Sequence, residues 1–166
     1  MHARSQEGHE RVQTVGILHP GAMGSSIGAA AKANSRLVIW ASEGRSLTSA
    51  ERAHRAGLTD VGSLQELVGR CELIVSVCPP AAAGDLAVAV AGAGFSGLYL
   101  DANAISPENS LRISRAIEAG GARFVDGGIV GPPACPVSRQ NRLPRCSAEA
   151  ALSRSSSATK SGEHRP

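Results

Sequence analysis

A short apolar segment, a Pro/Gly turn and an Ala-rich segment follow one another near the start of this chain and constrain its fold more than any other feature. The sequence VGILHPGAMGSSIGAAAKA runs from Val15 to Ala33. This order is typical of a strand, a tight turn and a helix whose free N–H groups and dipole attract an anion. Gly21 would let a phosphate approach the main chain, and Gly24 would let the helix pack closely on the sheet. The segment therefore predicts a phosphate-binding turn.

The turn departs in one position from the fingerprint G-x-G-x-x-G of dinucleotide-binding proteins. It reads HPGAMG, with His19 in place of the first glycine. Pro20 fixes its own φ and pushes His19 into an extended conformation, so the turn depends on proline rigidity rather than on glycine freedom. An ordinary tight turn before a core helix is the alternative that this motif alone leaves open. Three- and four-residue spacing predicts that the helix buries Met23, Ile27, Ala30, Ala31 and Asn34.

Composition limits the fold to one aliphatic core and argues against several kinds of partner. The chain has 166 residues, of which 42% are hydrophobic and 2% aromatic. Such a core is typical of a parallel sheet covered by helices, and the chain lacks aromatic platforms for single-stranded nucleic acid. A polar N-terminus and the absence of a long apolar stretch predict a cytoplasmic protein without a membrane segment. No metal site is predicted, and reduced structural thiols are expected at Cys71, Cys78, Cys135 and Cys146.

Strand and helix patterns alternate along residues 13 to 134, which we interpret as one domain. Helices are predicted from Ala22, over Ser46–Ala56, after a capping box at Ser63, over Ala82–Ala91 and from Ser106 to Ala119. This alternation predicts an α/β fold, a Rossmann-like, doubly wound and mostly parallel sheet. Strands are predicted over Thr14–Leu18, Arg36–Ala41, Leu58–Val61, Glu72–Val77, Gly97–Ala102 and Ala122–Asp126.

Five polar or Pro/Gly clusters follow strands of this predicted sheet, where ligands of such folds bind: HPGAMG, SEGRS, CPP, NAIS and GGIVG. Together they resemble the amino-terminal cofactor domain of the β-hydroxyacid dehydrogenase superfamily, which contains 6-phosphogluconate and 3-hydroxyisobutyrate dehydrogenases. VGILHPGAMG matches that family's G-x-G-x-M-G, VCPP its loop beside the nicotinamide, LDANAISP its D-x-S-T-I-x-P, and FVDGGIVGPPA its D-A-P-V-S-G-G. More narrowly, the chain is similar to the phosphogluconate dehydrogenase NAD-binding domain proteins, many of which also read H-P-G.

The resemblance implies an NAD(P)-binding oxidoreductase domain with defined site residues. Asn103 and Ala104 replace the family's Ser-Thr, and Val130 replaces its substrate-facing Ser. Substrate binding is expected at Asn103 and Gly131, although Asn103 has the alternative role of capping the turn before the Ser106 helix. Cofactor binding is expected at His19, Pro20, Gly21, Ala22, Met23, Gly24, Ser42, Arg45, Ser46, Cys78, Pro79 and Asn103.

The segment after the second strand predicts NADP rather than NAD. NAD enzymes place an acid there for the ribose hydroxyls, whereas Arg and small hydroxyl groups suit a 2′-phosphate. Ser42 offers no carboxylate, and Arg45 with Ser46 would hold the phosphate. Glu43 favours NAD, and a solvated Arg45 is the alternative interpretation.

The two ends of the chain differ in composition from the predicted domain. We expect residues 1–12 to be a flexible N-terminus and residues 135–166 a disordered, basic tail rich in Ser, Arg and Pro. In the resembled family a second, helical domain supplies the catalytic lysine, and its absence here predicts a truncated protein without independent catalysis. Exposed apolar surface would then favour a homodimer. The alternative is a non-catalytic nucleotide-sensing module whose tail contacts an acidic partner.

Overall fold

The computed structural model describes residues 13–35 and 37–133. In this part of the chain, β-strands and α-helices alternate. The N-terminus predicted over residues 1–12 and the tail predicted over residues 135–166 lie outside the described residues. The sensing-module alternative depends on that tail.

Six strands of the described part form one sheet, in which every pair of neighbours is parallel. Their order is β3-β2-β1-β4-β5-β6, the arrangement of a Rossmann-like doubly wound sheet, so the predicted fold class is confirmed. The direction of winding reverses between β1 and β4, which lie side by side at its centre. The strands are β1 (Thr14–Ile17), β2 (Leu37–Trp40), β3 (Thr59–Asp60), β4 (Leu73–Ser76), β5 (Leu98–Asp101) and β6 (Arg123–Asp126).

Five α-helices connect these strands within the described part, and serine caps define where three of them begin. Ser46, Ser63 and Ser106 each accept a hydrogen bond from the backbone N–H three residues further on. A 3₁₀ turn over Pro80–Ala82 precedes the fourth helix. The helices are α1 (Ala22–Ala31), α2 (Leu47–Arg55), α3 (Leu64–Arg70), α4 (Ala83–Gly92) and α5 (Pro107–Ala119).

Aliphatic side chains fill both faces of the sheet. On one face α1 and α2 cover Val15, Val38 and Trp40, and on the other face α3, α4 and α5 cover Ile39, Ile74 and Tyr99. This double layer explains why β1, β2 and β4 read as nearly continuous apolar segments.

The predicted core face of α1 is wrong in part, because Ala30 and Asn34 are exposed. The buried residues of this helix are Gly24 and Gly28 instead. A Cβ atom at Gly28 would lie 2.8 Å from Cδ2 of Leu58, and one at Gly24 would overlap the carbonyl oxygen of His19. The helix therefore packs through its bare backbone, which hydrophobic periodicity does not detect.

None of the helices in the described part of the chain has both the length and the apolar character that crossing a bilayer requires. The same residues contain no group of three or more His, Cys, Asp or Glu side chains arranged to hold a metal ion.

Candidate functional site

The loops at the carboxyl edge of the sheet bring most of the predicted site residues together. His19 follows β1, Arg45 follows β2, Cys78 follows β4 and Asn103 follows β5. Because β1 and β4 are adjacent and their connections run in opposite directions, a crevice forms at this edge of the sheet. The site is thus assembled from four segments that are distant in sequence.

The N-terminus of α1 lies at the crevice and has no side-chain cap. Gly21 is the N-cap, with φ −66° and ψ −168°, and a Cβ atom added there would meet nothing within 4 Å. No side chain therefore caps the first N–H groups of the helix, and the open space beside Gly21 leaves room for an anion that accepts their hydrogen bonds. By contrast, the serine caps of α2, α3 and α5 use one such N–H in each helix.

His19 and Arg45, which sequence reasoning treated separately, contact each other across the edge. Nη1 of Arg45 donates a hydrogen bond to Nε2 of His19. A guanidinium cannot accept, so His19 is the neutral tautomer with its proton on Nδ1. Burial and the charge of Arg45 lower the pKa of His19, which maintains that neutral form.

Arg45 has no acidic partner among the residues that the structure describes. Both side chains of the pair are half-buried, and burial lowers the pKa of Arg45. Nε of Arg45 and Nδ1 of His19 are buried and have no hydrogen-bond partner within the described segments. Arg45 is half-buried, and its assignment as a phosphate ligand rather than a solvated loop residue stays a prediction.

Ser42 and Ser46, which flank Arg45 in sequence, both make hydrogen bonds within the protein. Ser46 Oγ accepts a hydrogen bond from the Ser49 N–H at 3.3 Å. The Ser42 N–H donates to Asp60 Oδ1 at 3.2 Å, and the same oxygen accepts from the Gly62 N–H at 2.8 Å. The sequence analysis did not include Asp60 among the site residues. Its position at the end of β3, the strand beside β2, was the signal that could have identified it.

Asn103 is 8% exposed and connects the loops after β4 and β5. Its Oδ1 accepts from the Cys78 N–H at 2.6 Å, and its Nδ2 donates to Ser76 Oγ at 3.0 Å and to Asp101 Oδ1 at 2.6 Å. The Asn103 side chain bonds to these three residues and makes no described hydrogen bond to the turn before the Ser106 helix, whose N-cap is Ser106 itself. The amide of Asn103 positions the Cys78 loop, and its contact with cofactor or substrate stays a prediction.

A buried polar cluster under this edge was also absent from the sequence prediction. Tyr99, Asp101 and Ser76 are all 0% exposed. Tyr99 Oη and Asp101 Oδ2 have no hydrogen-bond partner among the described residues. Burial raises the pKa of Asp101, although hydrogen bonds from Asn103 oppose the shift, and burial likewise raises the pKa of Tyr99.

Asp101 makes stability depend on pH. Because its pKa is raised on folding, the folded state keeps a proton that the unfolded chain releases near pH 4. The free energy of unfolding therefore decreases as pH rises from about 4 through the folded-state pKa. We expect Asp101→Asn to lose this decrease, so that the variant gains stability relative to the wild type as pH rises. Urea unfolding of both proteins between pH 4 and 8 measures the effect, and parallel stability curves would contradict it.

The remaining predicted residues differ in their surroundings. The thiol of Cys78 is half-buried, and burial raises its pKa, so it is protonated at neutral pH. Cys71 donates to the Leu67 carbonyl, and burial raises its pKa to about 12. Pro79 and Gly131 are exposed, and Gly131 adopts φ +121° near the end of the described residues.

A groove on one face of the described domain does not coincide with this edge. Its volume is about 260 Å³, and it lies between α4 and α5, where Pro80, Asp85 and Arg112 line it. None of the predicted cofactor or substrate residues lines it. We place the candidate site at the carboxyl edge because the open helix N-terminus and the unpaired His19 and Arg45 atoms lie there.

Comparison with known proteins gives structural relatives only. No family model matches the chain, and no curated protein matches it. Among solved structures, the conserved protein MTH1747, of unknown function and structurally similar to 3-hydroxyacid dehydrogenases, is 29% identical with a TM-score of 0.65. The similarity covers 71% of this chain and 44% of that chain.

Two further structures have the same fold at lower identity. The Mycobacterium tuberculosis 3-hydroxyisobutyrate dehydrogenase, solved with L-serine, is 19% identical with a TM-score of 0.60 over 73% of this chain and 42% of that chain. An imine reductase variant from Myxococcus stipitatus, solved with NAD⁺, is 17% identical with a TM-score of 0.60 over 74% of this chain and 42% of that chain. The chain thus corresponds to less than half of these proteins, consistent with an amino-terminal domain, and its structural resemblance to 3-hydroxyacid dehydrogenase-like proteins is confirmed.

Proposed function

We propose that residues 13–133 form the NADP(H)-binding domain of a β-hydroxyacid dehydrogenase-like oxidoreductase. The observation that carries this proposal is the pairing of an uncapped helix N-terminus at Gly21 with Arg45, a half-buried cation without an acidic partner among the described residues. The helix N-terminus suits a pyrophosphate, and the Arg45 guanidinium suits a further phosphate. NADP(H) carries both.

The residues at the crevice fit such a dinucleotide. The turn from Gly21 to Gly24 would hold the pyrophosphate through backbone N–H groups, since a Cβ at Gly21 meets nothing within 4 Å. Arg45 would hold the 2′-phosphate, with the Ser46 hydroxyl beside it. Cys78 and Pro79 would border the nicotinamide, and Asn103 holds their loop in place through the Cys78 N–H. When bound, the nicotinamide supplies the hydride chemistry.

The solved structures support the dinucleotide more strongly than its 2′-phosphate. An imine reductase of the same fold was solved with NAD⁺, so that relative binds a nicotinamide dinucleotide. Glu43 is exposed beside the site, which keeps NAD as the runner-up cofactor. Binding of both cofactors to this chain therefore has to be measured directly.

We propose further that the described residues supply the cofactor half of a reaction without the group that accepts a substrate proton. Cys78 has a raised pKa, and Asp101 is 0% exposed below the loops. Neither side chain suits an acceptor of a hydroxyl proton near neutral pH, because a general base must be both ionised and within reach of its proton.

Titration of the purified 166-residue chain with NADPH and NADH tests the cofactor assignment. We expect both reduced dinucleotides to bind, with NADPH the tighter of the two, as measured by nicotinamide fluorescence. Tighter binding of NADH would reject the NADP preference, and no binding of either would reject the proposed function.

Replacing Arg45 with alanine is expected to weaken NADPH binding by about 1.5–3 kcal/mol, the range for hydrogen bonds to a charged group, and to leave NADH binding nearly unchanged. Arg55→Ala is the matched control, because Arg55 is an exposed arginine on the neighbouring helix. Isothermal titration with both cofactors measures the difference. Equal losses for NADPH and NADH in the Arg45 variant would show that Arg45 does not read the 2′-phosphate.

A further inference from the structure

Neighbouring contacts fix the backbone of His19, and this defines where its imidazole leaves the main chain. The Leu18 N–H donates to the Val75 carbonyl at 3.2 Å, and Pro20 is fully buried. The His19 carbonyl oxygen lies so close to Gly24 that even a methyl group there would overlap it. Strand, proline and helix together fix the position from which the His19 side chain projects.

Hydrogen bonds also hold the loop that carries Arg45. Its N–H donates to the Ser42 carbonyl at 3.0 Å, and the intervening Gly44 has φ +68°, a left-handed conformation that closes the turn. Asp60 holds the Ser42 N–H. The guanidinium leaves this turn and reaches the imidazole of His19.

The contact with His19 is the only hydrogen bond that the Arg45 side chain makes within the described residues. A long arginine side chain without a partner loses considerable rotamer freedom when it binds a phosphate. A neutral imidazole that accepts one of its protons restricts the guanidinium beforehand and adds no negative charge that would compete with a phosphate. A carboxylate in the same place would neutralise the cation.

We infer that His19 is a positioning residue that determines cofactor specificity: its neutral imidazole holds the Arg45 guanidinium ready for the 2′-phosphate of NADP(H). This inference rests on the proposed function and assigns a role to the histidine that replaces the first fingerprint glycine. A glycine at position 19 would offer no side-chain acceptor, so the hydrogen bond to Arg45 depends on the histidine.

The titratable groups that act on this pair are consistent with a neutral His19. Arg45 contacts His19 directly, and Cys78, whose thiol is protonated at neutral pH, is the other titratable group that acts on Arg45. Protonation of His19 would place two cations together and remove the acceptor of the hydrogen bond. The lowered pKa of His19 keeps this form rare at neutral pH.

A double-mutant cycle in the full chain tests the inference, with affinities for NADPH and NADH measured for each variant. We expect His19→Ala to lower the NADPH-to-NADH affinity ratio by about tenfold or more, as Arg45→Ala does. The double variant is expected to lose little beyond either single variant, because both remove one interaction. His19→Gln, whose amide oxygen can accept from Arg45, is expected to recover most of the ratio, and His54→Gln on exposed α2 is the matched control.

Nitrogen NMR of the histidine rings gives a readout that a packing role alone would not change. In the wild type we expect Nε2 of His19 to be unprotonated at pH 7, and in Arg45→Ala we expect the His19 pKa to move upward, because the neighbouring charge is gone. This measurement uses folded wild-type protein, so it decides the tautomer even if His19→Ala fails to fold. A proton on Nε2 at pH 7 would overturn the inference.

The outcomes separate this inference from the proposed function. If Arg45→Ala loses the NADPH preference and His19→Ala keeps it, the function stands and the role of His19 is rejected. An equal loss of NADPH and NADH affinity in His19→Ala also rejects it, since His19 would then be a general cofactor contact. If the wild type binds neither dinucleotide, both proposals fail.

Discussion

Replacing Gly21 with valine is expected to abolish dinucleotide binding and to leave the fold intact. The φ of −66° and ψ of −168° at this position suit any residue, and an added Cβ meets nothing within 4 Å. The valine side chain would therefore be accommodated by the protein but would occupy the space in front of the α1 N-terminus. Loss of two or more charge-assisted hydrogen bonds to the pyrophosphate corresponds to a drop in affinity of at least about 100-fold.

Isothermal titration with NADPH measures this loss, and circular dichroism verifies the fold. Gly69→Val is the matched control, because Gly69 is exposed near the end of α3 and a Cβ there also meets nothing within 4 Å. We expect the control to bind NADPH like the wild type. Unchanged affinity in the Gly21 variant would place the pyrophosphate elsewhere and reject this part of the site.

Replacing Gly24 with alanine is expected to have the opposite consequence, a large loss of stability. The new methyl group would overlap the His19 carbonyl oxygen, a backbone atom of the turn after β1 that cannot move without displacing that turn. Overpacking against backbone is expected to cost about 3 kcal/mol or more. The higher helix propensity of alanine recovers at most about 1 kcal/mol, too little to offset the overlap.

Urea denaturation measures the free energy of unfolding of this variant against a helical control. Gly69→Ala changes the same residue type in α3, where the Cβ meets no neighbour, and we expect it to be neutral or stabilising by up to about 1 kcal/mol. A Gly24→Ala protein as stable as the wild type would show that α1 can move away from β1, and the close packing of this helix would then not be a constraint on the site.

Local sequence signals predicted the order and type of the elements well. The boundaries at Ser46, Ser63 and Ser106 were readable because a serine cap bonds an N–H only three residues away. Each predicted strand extends one residue too far at one or both ends, as at Leu18, where a buried apolar side chain follows the last residue of β1. The core face of α1 was misread because glycine, not a large side chain, is the buried residue at positions 24 and 28.

The sequence also predicted which residues lie at the candidate edge, but it did not predict which of them contact each other. His19, Arg45 and Asn103 each follow a predicted strand, so parallel topology places them at one edge. That Arg45 contacts His19 and that Asn103 bonds the Cys78 N–H depend on loops 26 and 25 residues apart in sequence. Nothing in either local segment specifies the partner in the other.

The sequence by itself determined the fold class, the strand, turn and helix around Gly21, and the residues at the carboxyl edge of the sheet, because caps, turns and apolar periodicity act over a few residues. Only the tertiary structure decided the chemical state of the site. It made His19 a neutral acceptor for Arg45 and left Asp101 buried with one oxygen unpaired. Protonation and hydrogen-bond partners depend on burial and on charges brought together from distant segments, so they exist only once the chain has folded.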